Sequence, residues 1–244
     1  MSTAELTQER NILADGPAKL IERCGSAVAA ADRVLVAAKA GVRAKVAELG
    51  GVDNAQHVAH GLAWMATYVE ALRQMLHWAE RRSAEGRFNE FEQLILAAAF
   101  AEYCAQIAGG IPMSQVETIR PQALGVSIAD VRAYEDAVAS LVAEGGTQAI
   151  KARLAKLIEE HPTATTFGDS GLDETHAAIH EQMRKFSLAE VVPHAHEWHL
   201  KNDYIPMEIV QHVAELGVFG LTLPEEYGGM ALGKESMCIV SEEL

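Results

Sequence analysis

Residues 17–49, PAKLIERCGSAVAAADRVLVAAKAGVRAKVAEL, decide the fold class. Apolar side chains fall at Leu20, Cys24, Ala27, Ala31, Val34, Leu35, Ala38, Val42, Val46 and Leu49. The steps are three and four residues, with a single step of one, so one stripe runs down one face of a long helix. Pro17 suits the first helical turn, where its missing N–H leaves nothing unpaired, and Gly50–Gly51 supplies a stop. The pattern repeats outward from there. A second helix is predicted from about Asp53 to Arg82, with the stripe Val58, Leu62, Met65, Val69, Leu72, Leu76 and Ala79. A third starts near Arg87, carries Phe91, Leu94, Ile95, Ala98 and Ala101, and ends at Gly109–Gly110 before Pro112.

Ser127-Ile-Ala-Asp130 has the shape of a capping box with Asp in the usual Glu position. The helix it opens runs through Val131, Tyr134, Val138 and Leu141, and a short one from Thr147 to Glu160 follows. Residues 163–172 lose all periodicity and collect Thr, Gly, Ser and Asp, so the chain divides there. Such a composition buries too little apolar surface to offset its own ordering entropy, which predicts an interior site open to proteases. Helices resume over Glu174–His199 and Pro206–Leu216, and a last one from about Lys234 is still running at Leu244. No stretch alternates like a strand. The expected fold is all-α: a helical bundle over residues 1–165, then a second helical region over 166–244.

Composition narrows the function classes. The 244 residues carry 34 acidic and 20 basic side chains, a formal charge of −14, which repels a phosphate backbone and disfavours nucleic acid as a partner. No apolar run approaches the roughly 20 residues that span a bilayer. The acidic, polar stretch Met1–Ala14 has neither the basic nor the apolar region of a secretory signal. Cys24, Cys104 and Cys238 are far apart, form no CxxC pair, and fall on apolar helix faces as core thiols. The expected setting is a reducing cytoplasm.

Candidate sites are thin. His194 lies two residues from His196 and five from His199, spacings that do not place the three, with Glu197, on one helix face as a metal set would, and HExxH is absent. His57 with His60 and His176 with His180 have helix-face spacing but no evident carboxylate on the same element; His77, His161 and His212 are isolated. Glu225–Glu226 sit in a turn, where adjacent side chains diverge, and read as scaffold beside Gly228–Gly229. Trp64, Trp78 and Trp198 are expected in packing. No catalytic, cofactor-binding or metal-ligating residue is assigned.

From His176 onward the chain resembles the N-terminal α-domain of the acyl-CoA dehydrogenases. The resemblance is carried in order by Val192-Pro193-His194-Ala195, Tyr204-Ile205-Pro206, Leu216-Gly217-Val218-Phe219-Gly220, Leu221-Thr222-Leu223-Pro224-Glu225-Glu226-Tyr227-Gly228-Gly229 and Glu242-Glu243-Leu244. It covers a little over a quarter of the chain. A long helical extension ahead of it resembles the (2S)-methylsuccinyl-CoA dehydrogenase branch, which handles a branched dicarboxylic thioester. Gln106-Ile107-Ala108-Gly109-Gly110 resembles a turn of the family's C-terminal bundle, and equally reads as a helix that ends in Gly–Gly. The resemblance implies a homo-oligomeric FAD enzyme that removes a proton and a hydride from the α and β carbons of an acyl-CoA, converting (2S)-methylsuccinyl-CoA to mesaconyl-CoA in that branch. It implies electron-transfer flavoprotein as the acceptor. The family's flavin-binding and base-bearing regions have no counterpart before Leu244, so the chain is expected to be an inactive, truncated portion that binds no flavin. The other reading is a non-catalytic all-α interaction or structural module. In the complete enzyme the extension is expected to pack on the dehydrogenase body, using what its stripes leave free, such as Trp64, Trp78 or Phe88.

Overall fold

The computed structural model describes residues 12–162 and 167–244. Most of the Met1–Ala14 stretch, and residues 163–166 of the predicted division, lie outside the described residues. The chain falls into two compact units, Met1–Gly171 and Leu172–Leu244.

The first unit is built on four long helices: α1 (Pro17–Glu48), α2 (Gln56–Ala84), α3 (Glu90–Gly109) and α4 (Ile128–Gly145), with the shorter α5 (Gln148–Glu159) against α3. The α1 stripe is buried from Leu20 to Val42 as its spacing requires; Val46 is half-buried and Leu49 exposed, because the stripe outlasts its partners. Met65, Val69, Leu72, Leu76 and Ala79 of α2 and Val131, Tyr134, Val138 and Leu141 of α4 close the same core. Helix α3 is apolar on nearly every face, and Leu94, Leu96, Ala97, Phe100, Cys104 and Ile107 are buried among the other three helices.

The starts of α3 and α4 are set by side-chain caps. The third helix begins at Glu90 because the Asn89 N–H donates to Glu92 Oε2 at 3.0 Å in a capping box. At α4 the Asp130 N–H donates to Ser127 Oγ at 3.1 Å, but the Asp130 carboxylate is too short to reach back to the backbone and accepts from the Ser127 hydroxyl at 2.6 Å. Regular structure among the described residues is helical as expected apart from one small element: Ile111–Pro112 (β1) and Thr118–Ile119 (β2) form an antiparallel hairpin, Ile111 opposite Ile119. Two residues per strand leave no alternation to detect. Ile111 and Ile119 are both fully buried, and Ile119 lies where a side chain at Gly61 of α2 would stand, 2.4 Å from that missing Cβ. At Gly41 of α1 an added Cβ would meet the Leu124 carbonyl oxygen at 2.2 Å, so only glycine lets α1 lie this close to the turn Pro121–Leu124.

The second unit contains α6 (Glu174–Phe186), α7 (Val192–Lys201), α8 (Met207–Glu215) and α9 (Lys234–Glu243). Helical structure runs without a break from Glu174 to Lys201, as expected, but it is not uniform. A π turn at Ser187–Val191 separates α6 from α7. Pro193 cannot donate to the carbonyl four residues back and its ring crowds that carbonyl, so the helix widens ahead of it. Met183, Phe186, Val213, Leu221 and Val240 make a small separate core.

Candidate functional site

Two open, mainly apolar cavities of the second unit could receive a ligand. One, of about 620 Å³, lies between α6 and α9 and is walled by Ile179, Met183, Leu216, Val218, Leu221, Met230 and Val240, with Glu174, Thr175 and Gln182 at its polar edge. The other, of about 430 Å³, is walled by Val191, Ala195, Trp198, Ile205, Ile209, Val210, Val213, Phe219 and Leu244, with His199 and Asp203. Such linings hold apolar surface; they present no paired acid and base aimed at a common point.

Beside the first cavity is an arrangement that spacing alone hides. His176 Nδ1 is 3.0 Å from Asp173 Oδ1, and His176 Nε2 is 3.2 Å from Ser236 Oγ. Asp, His and Ser in this order have the connectivity of a nucleophilic triad. Burial decides against that chemistry: Ser236 is wholly buried, so no acyl group can reach its hydroxyl. Asp173 is the N-cap of α6, accepting from the His176 N–H at 2.8 Å. The His176 ring therefore bridges its own helix cap, through Nδ1, to Ser236 of α9, through Nε2. One turn on, His180 Nε2 lies 2.7 Å from Glu243 Oε1, and Arg184 lies 3.7 Å from the same oxygen. The pair His176–His180 is a seam between α6 and α9, with carboxylates supplied by a cap and by the neighbouring helix.

His194, His196 and Glu197 of α7 are exposed: His194 stacks on Trp198 with ring centres 5.7 Å apart, and Glu197 pairs with Lys201 at 2.5 Å. His199 instead edges the smaller cavity. Among the described residues no three His, Cys, Asp or Glu side chains converge as a metal set. His57 lies 3.9 Å from Glu117, and His60 Nε2 accepts from Trp64 Nε1 at 2.9 Å. Glu225 and Glu226 sit exposed in the turn Glu225–Tyr227. Of the thiols, Cys24 and Cys104 are buried, whereas Cys238 is exposed, because its face of α9 has no partner helix within the unit. Burial raises the Cys24 thiol far above its ordinary range and pushes Cys104 up to about 11, so neither is a nucleophile at neutral pH. Phe88, expected to remain free, is buried edge-on against Trp78.

The cavities do not fit FAD. A flavin dinucleotide brings a pyrophosphate, which needs Lys, Arg or a run of free backbone N–H groups. Neither cavity is lined by Lys or Arg, and the larger carries Glu174 at its edge. No step of flavin chemistry is assigned to these residues.

Similarity to known proteins supplies what the geometry lacks. Residues 173–244 match the family described as Acyl-CoA dehydrogenase, N-terminal domain. The chain is 53% identical over 193 residues to a (2S)-methylsuccinyl-CoA dehydrogenase of Cereibacter sphaeroides, covering 79% of this chain and 35% of that protein. It is 36% identical over 78 residues to a glutaryl-CoA dehydrogenase of Desulfococcus multivorans, covering 31% of this chain and 20% of that protein. It is 34% identical over 73 residues to a mitochondrial isovaleryl-CoA dehydrogenase of Oryza sativa subsp. japonica, covering 30% of this chain and 18% of that protein. The chain thus spans about a third or less of the length of these relatives. This chain carries, over residues 173–244, the N-terminal region of the acyl-CoA dehydrogenase family.

Proposed function

We propose that this chain is the N-terminal portion of an FAD-dependent acyl-CoA dehydrogenase that oxidises (2S)-methylsuccinyl-CoA to mesaconyl-CoA. The observation that carries the reading is the reach of one match. Identity to the (2S)-methylsuccinyl-CoA dehydrogenase runs over 193 residues, well beyond the 173–244 segment and into the helical unit ahead of it. The glutaryl- and isovaleryl-CoA dehydrogenases align over only 78 and 73 residues. Flavin and catalytic base belong to the remainder of the protein, and residues 1–244 alone are colourless and inactive.

In this reading the helical unit contributes packing rather than chemistry. A small cavity in it, about 60 Å³ beside Ala30, Arg33 and Tyr134, is too small for an acyl thioester. The test is anaerobic addition of an acyl-CoA panel to the complete flavoprotein. The expected result is rapid bleaching of the oxidised flavin by (2S)-methylsuccinyl-CoA, and slower or no bleaching by glutaryl- and isovaleryl-CoA. Absence of co-purifying flavin, or preference for a straight-chain thioester, overturns the assignment. Removing residues 1–165 from that protein is expected to lower its stability or blunt its selectivity while flavin reduction persists.

A further inference from the structure

Residues 167–171 have a composition that predicts a free tether, yet Asp169 has every polar atom bound. Its N–H donates to Glu92 Oε1 at 2.9 Å, and its carbonyl accepts from Trp78 Nε1 at 2.9 Å. Its Oδ1 accepts from Arg82 Nη1 at 3.2 Å and from the Gly171 N–H at 3.0 Å, and its Oδ2 lies 2.5 Å from Arg87 Nε. Phe167 adds a ring contact to Phe91 at 6.1 Å. Gly171, at φ +75°, passes so close to Arg82 that an added Cβ would stand 2.8 Å from the guanidinium carbon.

The partners come from three places: Trp78 and Arg82 one turn apart on α2, Arg87 in the connection, and Glu92 in the first turn of α3. Two of them are unusual. Arg82 is only 4% exposed, and a buried guanidinium is costly unless its charge is met. Asp169 and Glu85 meet it, with one Nε–H left over. Glu92, also 4% exposed, divides its two oxygens between the strap and the cap of its own helix.

We infer that residues 167–171 are a latched strap on the helical unit, with Asp169 as the catch, and that releasing it also loosens the start of α3. The coupling runs through Glu92. Release exposes the buried Glu92 carboxylate to water, which competes with the Asn89 N–H for its oxygens, and removes a contact that fixes the side chain in its cap geometry. Release also frees the Trp78 indole N–H and removes a carboxylate from the buried Arg82. A segment whose hydrogen bonds converge on one residue opens as a unit rather than fraying bond by bond.

Amide hydrogen exchange on the intact chain tests this. In the wild type the Asp169 and Gly171 amides are expected to exchange at least about tenfold more slowly than an unstructured segment. Asp169→Ala is expected to remove that protection and to raise exchange at Asn89–Gln93 about tenfold, leaving α1 and α4 unchanged. Asp169→Asn, which keeps the size and the Gly171 contact, is expected to fall between. Wild-type strap amides exchanging at unstructured rates would overturn the inference without recourse to any variant. Faster exchange in the strap of either variant with Asn89–Gln93 unmoved would overturn the coupling.

Discussion

The two units handle apolar surface in opposite ways. In the helical unit the stripes of α1, α2 and α4 meet around an apolar α3, and Leu20, Met65, Leu72, Phe100, Ile107 and Leu141 are left with no more than about 1% of their surface exposed. In the dehydrogenase-like unit α7 buries none of its residues, and Leu200, Tyr204, Phe219 and Tyr227 stand 63–96% exposed. Apolar burial is worth roughly 25 cal/mol per Å², so the first unit secures most of what it can gain internally and the second leaves much of it unclaimed. A domain's stability is not a property of its helices alone; it depends on whether their apolar faces find partners.

The largest effect should come from Phe100→Ala, which empties the centre of the first core and is expected to lower that unit's stability by about 3–5 kcal/mol. Denaturant unfolding followed at Trp64 and Trp78 measures it; a loss below 1 kcal/mol would mean the core is not close-packed. Gly41→Ala comes next. The new methyl group meets backbone rather than a yielding side chain, and about 1–3 kcal/mol should be lost from the same transition. An unchanged midpoint would show that α1 and the turn at Pro121–Leu124 are further apart than described.

In the second unit the expected effects are smaller. A hydrogen bond to Glu190, at 2.7 Å, and then the charge of that carboxylate hold the His212 imidazolium above its usual value near 6.5. A raised folded-state value means that protonated His212 favours the folded form. Its contribution is whole below pH 6.5 or so and fades as pH rises through the folded value. The Tm difference between wild type and His212→Asn should therefore be larger at pH 5.5 than at pH 8.5. Equal differences at the two would break the pair. Tyr204→Ser, at a side chain 96% exposed, should change stability by less than about 0.5 kcal/mol. A larger loss would show that α7 and α8 are supported by contacts the comparison assigns only to the first unit.

How far the sequence was readable follows from the range of the forces. The long stripes were plain because α1, α2 and α4 repeat the same burial every turn, and Val131, Tyr134, Val138 and Leu141 are buried where their spacing put them. The start of α3 falls at Glu90 rather than near Arg87, because the Asn89–Glu92 box sets it. The hairpin Ile111–Ile119 was invisible, as two-residue strands carry no period. The π turn at Ser187–Val191 has no periodic signature; its local sign is Pro193, whose missing N–H leaves a carbonyl of the preceding turn without a partner. At the candidate site, Asp173 and His176 were three residues apart in cap spacing, but Ser236 is 60 residues from His176 and no local pattern joins them. Asp169 lies 77 residues from Glu92 and 87 from Arg82, so composition marks a division over residues 163–172 but gives no sign of the tertiary hydrogen bonds that hold Asp169.

The contrast between the units is tested most directly by producing residues 1–171 and residues 172–244 separately and unfolding each in urea. Far-ultraviolet circular dichroism and the emission of Trp64 and Trp78, or of Trp198, report the two transitions. Residues 1–171 are expected to show one steep, cooperative transition. Residues 172–244 are expected to show a shallow loss of helix with no defined midpoint, because the small core around Met183, Phe186, Val213, Leu221 and Val240 is all that unit closes by itself. A sharp transition for residues 172–244, at a urea midpoint equal to or above that of residues 1–171, would contradict this contrast.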